Sequence, residues 1–205
     1  MVTAWAFEKG DVMLDCRLAV WAVGLVAVLA GGVSGQTVTD SAKTVEAQLA
    51  ADDYAAAIAT SRDLLGQVWD MAPDIGFSEA VLIAEPASGY GIYNLRPTIS
   101  YKLGESIFVY AEPYGYGYGS PGEGLYSIGF FVDLQVMAAD GSILGEVPDV
   151  AELDLTSRVK NREFQATITY DLSGIEPGSY VLVTRLRDKN SAKSGSFETP
   201  IEITP

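Results

Sequence analysis

The sequence predicts a mainly β fold, an antiparallel β-sandwich of seven or eight strands that a short helical segment precedes. From Phe77 onward, apolar residues recur at every second position, which is the period of a strand with one buried face. Before that point, residues 40–72 repeat apolar side chains every three or four positions, as an amphipathic helix does. Turn-forming residues separate the later apolar runs at short intervals, which is typical of two packed antiparallel sheets.

Charge and composition restrict the classes of function. The chain has 205 residues, of which 48% are hydrophobic and 20% charged, and this is the composition of a folded protein. Its formal net charge is -14. A nucleic acid requires a basic surface, and an anionic membrane requires a cluster of Lys and Arg. We therefore expect neither of them as a partner.

Two residue types that carry much enzyme chemistry are scarce. The sequence has no histidine, and its single cysteine, Cys16, lies before the predicted mature chain. These absences exclude a Ser-His-Asp or Cys-His arrangement, disulfide bonds in the mature chain and a zinc site with nitrogen and sulfur ligands. No spacing of carboxylates or Ser-Lys pairs singles out an active site. We predict that the protein is not an enzyme and has no catalytic residues, cofactor or metal ligands.

Residues 1–35 have the features of an export signal. Thirteen apolar residues at 18–30 follow Arg17, and small residues continue to Gly35. This run matches a signal-peptide core and is short for a membrane span of about 20 residues, although an uncleaved anchor is the alternative. We expect cleavage after Gly35, or after Ala30. The mature chain would then lack a membrane span and reside in the bacterial periplasm or outside the cell.

The start of this signal predicts a second initiation site. Glu8, Asp11 and Asp15 lie within the first 17 residues, whereas export signals begin with positive charge. Starting at Met13 removes two of these acidic residues and leaves a net positive beginning. We therefore predict that translation begins at Met13.

The segment 38–72 is predicted to form one or two helices. Asp40 and Ser41 are residue types that cap helices, and Pro73 ends the periodic pattern. Two aspartates at 52–53 allow a second start. The run LAADDYAAAIATSRDLL is similar to the turn and second helix of a tetratricopeptide hairpin, but only one copy is present. We favour helices that pack as a hairpin or dock on the sheet over a peptide-binding repeat.

The strands follow in order from residue 77. Tight turns are indicated by Asp140-Gly141 and by the Pro-Gly pair at 177–178, and Pro200 places the last strand at a sheet edge. The predicted strands occupy residues 81–84, 98–101, 107–111, 128–136, 143–144, 164–172, 180–186 and 197–203.

A resemblance to a known fold family rests on residues 172–180, LSGIEPGSY, followed by VLVTRLRD. This stretch resembles the tyrosine corner of immunoglobulin-like and fibronectin-type sandwiches, which implies that the Tyr180 hydroxyl bonds back across the preceding turn. LGESIFVYAEP is similar to a strand near the start of such domains, and residues 180–203 are similar to their last hairpin. The resemblance implies an immunoglobulin-like β-sandwich over residues 76–205. The whole pattern resembles secreted bacterial proteins with a single domain of this kind, which implies no activity.

Tyrosines alternating with glycines supply the candidate binding residues. The segment AEPYGYGYGSPGEGLY and the upstream SGYGIY combine flat aromatic faces with a permissive backbone. Such loops at one end of a sandwich bind partners, although the same rings could instead pack on each other and on the helix, or form an edge strand. The candidate residues are Tyr90, Tyr93, Tyr114, Tyr116, Tyr118 and Tyr126.

Two polar groups receive a weaker functional interpretation. The acidic residues Glu146, Asp149, Glu152 and Asp154 could bind calcium weakly, but no calcium-loop motif is present, and a solvated face is the simpler interpretation. Residues 188–193 form the most polar hairpin tip, which we expect to be a solvated turn.

These observations predict an exported, non-catalytic binding module that contacts a protein partner in the cell envelope through the Tyr/Gly loops and through the helix. A carbohydrate-binding accessory domain that uses the same tyrosines is the alternative. A purely structural envelope protein, with or without calcium, is a further one. Exposed, coplanar tyrosines would favour sugar stacking, whereas a convex or buried cluster would favour protein contact or a structural role.

Overall fold

The computed structural model describes residues 37–205, so the predicted export signal and the start at Met13 lie outside the described residues. Two helices come first: α1 spans Val38–Ala50 and α2 spans Tyr54–Met71. The Thr37 hydroxyl accepts from the Asp40 amide and the Asp53 carboxylate accepts from the Ala56 amide, so each helix has an N-terminal cap. The predicted caps Asp40 and Ser41 were wrong, since both residues lie inside α1.

The helices form a hairpin whose contact is made by small and polar side chains. Ser41 and Ala57 are buried between the helices, and Gln67 donates to the Ser41 hydroxyl at 3.0 Å. Asp52 adopts a positive φ of 57° in the turn, a conformation that Asp tolerates better than most residues. Contacts between the helices and the strands are sparse apart from the end of α2. Of the two predicted arrangements, docking on the sheet or packing as a hairpin, the structure shows the hairpin.

In the described part of the chain, eight strands form two sheets, and the predicted mainly β sandwich is confirmed. One sheet has the order β1-β3-β6 and the other the order β2-β8-β7-β4-β5, with only β2 and β8 running parallel. The strands are β1 Gly76–Ile83, β2 Ser100–Lys102, β3 Ile107–Tyr114, β4 Tyr126–Ala138, β5 Ile143–Ser157, β6 Ala166–Tyr170, β7 Gly178–Asp188 and β8 Ser194–Thr204.

The core lies between the sheets and follows the predicted alternation. On β4, Ile128, Phe130 and Val132 are buried, while Asp133 and Gln135 are partly exposed. On β6, Ala166, Ile168 and Tyr170 are buried in the same way. Each strand therefore turns one row of apolar side chains inward, and burial of these rows holds the two sheets together.

The strand order and one turn match the immunoglobulin-like pattern. The three-stranded sheet corresponds to strands A, B and E of such a sandwich, and the larger sheet contains the G, F and C strands in that order. Tyr180, near the start of β7, donates its hydroxyl to the Glu176 carbonyl at 2.8 Å. This is the tyrosine-corner bond that the resemblance implied.

Two strands differ from the sequence prediction. β5 runs for 15 residues rather than two, because it is an outer strand whose first half is exposed on both faces and so shows no apolar alternation. Pro200 was predicted to place β8 at a sheet edge, but β2 pairs with residues 202–204 on that side, so only the part of β8 before this pairing lies at the edge. The Glu202 amide donates to the Ile99 carbonyl at 2.9 Å, just beyond the proline that lacks a donor.

Candidate functional site

Tyr116 and Tyr118 lie inside an aromatic cluster that closes one end of the sandwich. Both residues follow the bend at Gly115, just after β3 has ended. Tyr116 is 1% exposed, and its ring packs against Trp69 of α2 at 4.9 Å and Phe130 of β4 at 5.5 Å. The cluster consists of Trp69, Tyr116, Tyr118, Phe130 and Phe164. It joins the helical hairpin to the sandwich core.

Hydrogen bonds hold these aromatic side chains in place. The Tyr116 and Tyr118 hydroxyls both donate to the Asn161 carbonyl, at 3.0 and 2.9 Å. The Trp69 indole donates to the Tyr116 carbonyl at 2.9 Å. The two hydroxyls and the indole N–H therefore each have a backbone carbonyl as acceptor, as polar atoms of buried aromatic side chains require.

The β7–β8 hairpin tip binds the same Tyr/Gly segment. The buried Asp188 carboxylate accepts the Gly117 amide at 2.6 Å and the Asn190 amide at 2.9 Å. Lys193 donates to the Gly115 carbonyl at 2.7 Å. The predicted solvated turn was therefore wrong for Asp188, because an Asx turn places its carboxylate against backbone donors rather than water.

At Gly115 of this segment, the backbone conformation and the close neighbours both require glycine. Its φ is +80°, and a Cβ there would lie 2.8 Å from both the Asp74 carbonyl oxygen and the Ala72 side chain. Both groups belong to the short connection between α2 and β1. A side chain at 115 would therefore be strained and would also push this connection away.

Burial changes the ionisation of the tyrosines in the interior. Burial raises the pKa of Tyr118 to about 12, and it raises the pKa of Tyr170, in the sandwich core, to about 12. The pKa of Tyr116 is raised further for the same reason, with the neighbouring Tyr118 adding to the effect. These hydroxyls are therefore neutral throughout the physiological pH range, and those of Tyr116 and Tyr118 donate to Asn161.

We expect stability to fall steeply in alkali. An unfolded tyrosine ionises near pH 10, whereas Tyr118 and Tyr170 stay neutral in the fold until about pH 12. The stability gained from their neutral forms is complete below about pH 10 and is lost between about pH 10 and 12. Urea unfolding at pH 8 and 11, with tyrosinate absorbance followed in parallel, measures this. Ionisation of every tyrosine near pH 10 with the fold intact would contradict it.

The other four candidate tyrosines lie elsewhere. Tyr93 packs its ring against buried Tyr110 at 4.2 Å on the outer side of β3. Tyr90 and Tyr114 are exposed, and Tyr126 is half-buried with Lys160 5.9 Å from its ring. The structure thus brings Tyr116 and Tyr118 together in the aromatic cluster, and it does not bring the six rings onto one surface.

Three of the four acidic residues of β5 pair with basic side chains at the end of β7 and just beyond it. Lys189 bonds Glu152 at 2.7 Å and Asp154 at 2.8 Å, while Arg187 bonds Asp149 and, at 2.7 Å, Asp133 of β4. Within residues 37–205 no group of three acidic, cysteine or histidine side chains is placed to hold a metal ion. The geometry gives the calcium hypothesis no support.

The helical hairpin exposes an apolar surface that the sandwich does not cover. Tyr54, Ile58, Leu65 and Val68 of α2 are 48–60% exposed, and they fall within one narrow stripe of the helix. Val38 and Leu49 of α1 form a second stripe and are 37% and 47% exposed. We call these six residues the helical face. Exposed apolar side chains gathered in this way mark interaction sites.

A groove lies at the foot of the helical face, where α2 meets the Tyr/Gly segment. It has a volume of about 430 Å³ and an almost entirely apolar lining. Exposed Met71 and Tyr114 stand at this groove, and Trp69 links it to the aromatic cluster. The lining residues are Leu65, Val68, Trp69, Met71, Ala72, Tyr114 and Gly115.

Sequence reasoning identified the α2 stripe but assigned it to packing within the protein. A second signal was available, because Ser41, Ala57 and Gln67 are small or polar residues that lie off the apolar stripes, where the two helices meet. Two helices that pack through such residues leave their apolar stripes free. The structural role of Asp188 was indicated by the Asp-Lys-Asn order at the end of a strand, which is typical of an Asx turn.

Over residues 37–205, the fold and site define a class: an immunoglobulin-like β-sandwich preceded by a helical hairpin with an exposed apolar face. No protein-family model matches this chain, and no curated protein has a significantly similar sequence. Among residues 37–205, neither helix has the length and apolar character needed to cross a membrane.

Proposed function

We propose that the protein is an exported, non-catalytic interaction module that binds a protein partner through the helical face and the groove at its foot. The observation that carries this proposal is the exposure of the apolar stripes on both helices of one hairpin. Water contact with these side chains is unfavourable, and a partner that covers them would gain the corresponding hydrophobic free energy. The two stripes and the groove together form one elongated patch, which suits a macromolecule better than a small ligand.

The placement of the tyrosines favours a protein partner over a sugar. Stacking on a sugar requires exposed rings that share a plane, whereas Tyr116 is buried and its ring lies at 66° to that of Tyr118. Of the six candidate tyrosines, Tyr114 lines the foot groove and so belongs to the proposed surface. The other five do not line this groove, and Tyr116 and Tyr118 belong to the aromatic cluster.

Site-specific photo-crosslinking tests the proposal. The chain is produced from its full precursor in its source cells, with a photoreactive amino acid at position 58 of α2 or position 144 of β5. Leu144 is a matched control for Ile58, because both residues are apolar and they are 58% and 55% exposed. We expect one discrete adduct from position 58 and none from position 144.

A variant that removes the apolar surface, and adducts at other positions, test the proposed surface further. The double substitution Ile58→Ser/Leu65→Ser, with the photoreactive group at exposed Val68, should abolish the adduct while circular dichroism shows an intact fold. Adducts from position 90 instead of 58 would move the partner to the tyrosine loops. Equal adducts from positions 58 and 144 would overturn the proposed surface.

A further inference from the structure

We infer that the partner contributes a basic amphipathic helix, which lies along the helical face with a large apolar side chain in the foot groove. This inference rests on the proposed function and names the chemistry of its partner. It is carried by the relative position of the two stripes, by the charge of the chain around them and by the shape of the groove.

The two stripes open on the same side of the hairpin. In α1, the side facing α2 carries Ser41 and Gln48. Successive residues of an α-helix are rotated by about 100° around its axis, which places the stripe of Val38 and Leu49 about a quarter turn from that side. In α2, the stripe lies about a quarter turn past buried Ala57 in the same sense. Because the helices of a tight hairpin run in opposite directions, equal rotations bring both stripes to one side. The result is a shallow apolar trough between two helices, into which the apolar ridge of a third helix packs.

The charge of the chain selects a basic partner. Seven acidic residues and two basic ones lie between Thr37 and Asp74, and two of the acidic ones, Asp52 and Asp53, form the tip of the hairpin. The acidic residues are Asp40, Glu46, Asp52, Asp53, Asp63, Asp70 and Asp74, and the basic ones are Lys43 and Arg62. Such a field attracts a cationic helix and speeds its association.

The same charge disfavours two other occupants. Only two basic and three acidic residues precede residue 37, so the described part keeps 11 basic and 24 acidic residues and a net charge of -13. A second copy would bring two such charges together, and an anionic membrane would repel the face. The same negative charge that repels a second copy and an anionic membrane attracts a basic helix.

The foot groove gives the bound helix a direction. It lies at the C-terminal end of α2, whereas the aspartates lie at the opposite end, before Tyr54. Its volume of about 430 Å³ accommodates a large apolar or aromatic side chain. The partner helix therefore places its basic end at the hairpin tip and its apolar anchor beside Trp69, in the arrangement of a buried anchor that dominates a binding surface.

Synthetic peptides test the inference. Trp5 and Trp21 lie in the predicted signal, so Trp69 is the single tryptophan of the exported chain and reports occupancy of the groove. The probe is an 18-residue Leu/Lys peptide with leucines at i, i+3, i+4 and i+7, compared with a Leu/Glu peptide of the same pattern and a scrambled Leu/Lys peptide. We expect the first alone to shift Trp69 emission, more weakly as salt rises.

Two variants separate the apolar and charged contributions. Ile58→Ser/Leu65→Ser leaves the net charge unchanged and should weaken Leu/Lys binding at least about tenfold. Asp52→Asn/Asp53→Asn keeps a cap and a residue suited to positive φ, and should weaken it about threefold to tenfold. Leu144→Ser/Val147→Ser on β5 is the matched control and should change nothing.

Each other outcome overturns the inference. Equal binding of the Leu/Glu peptide on the helical face would remove the charge argument and leave the proposed function standing. No binding of either peptide would reject the helix, and crosslinking from position 58 would then decide the proposed function separately. Self-association in sedimentation that Ile58→Ser/Leu65→Ser abolishes would identify a second copy as the occupant. Binding to phosphatidylcholine or phosphatidylglycerol vesicles would identify a membrane.

Discussion

Replacing Tyr116 with Ala is expected to cost about 3–5 kcal/mol of unfolding free energy, the range for removing a large aromatic side chain from a core. The substitution removes the ring between Trp69 and Phe130 and the hydroxyl donor to Asn161. A typical domain is stable by only about 5–15 kcal/mol, so this is a large share of the total. Urea unfolding followed by Trp69 fluorescence measures the loss and also shows whether α2 separates from the sandwich first.

Two companion variants make this result interpretable. Tyr116→Phe keeps the ring and should cost about 1 kcal/mol, the net value of one hydrogen bond. Tyr54→Ala removes a tyrosine that is 60% exposed on the helical face, and should change stability by no more than about 0.5 kcal/mol while weakening partner binding. A stable, folded Tyr116→Ala protein that had lost only binding would return Tyr116 to the surface and contradict the aromatic cluster.

Local patterns in the sequence predicted part of the fold. Alternation of apolar and polar residues predicted the buried faces of β4 and β6, because in a half-buried strand every second side chain points into the core. The tyrosine corner could be predicted because a local turn determines it, and Tyr180 bonds only four residues back. The first half of β5 could not, since exposure on both faces leaves no pattern.

The site was less predictable because it depends on contacts between distant segments. Tyr116 and Tyr114 have the same local composition, yet one is buried under α2 and the other is exposed at the groove. That difference is set by Trp69, which lies 47 positions before Tyr116 in the chain. Likewise, the apolar stripe of α2 predicts a buried face but does not say whether this chain or a partner covers it.

The same long-range dependence makes Asp188 the second residue with a large expected effect. Asp188→Ala should cost about 2–3 kcal/mol, because it leaves the amide donors of Gly117 and Asn190 without their acceptor in a site that is 7% exposed in the native protein. Denaturant midpoints measure the change. Glu123→Ala removes the same charge from an exposed loop and should stay within about 0.5 kcal/mol.

The location of the disturbance distinguishes a local from a global role for this carboxylate. Asp188 bonds the Tyr/Gly segment next to Tyr116, so its loss should loosen the aromatic cluster and change Trp69 emission before global unfolding. Amide exchange should increase first at 115–119, where the hairpin tip and α2 both bind the backbone. Faster exchange confined to residues 189–193, with Trp69 unaffected, would show that the hairpin tip stabilises only itself and that α2 is held by aromatic packing alone.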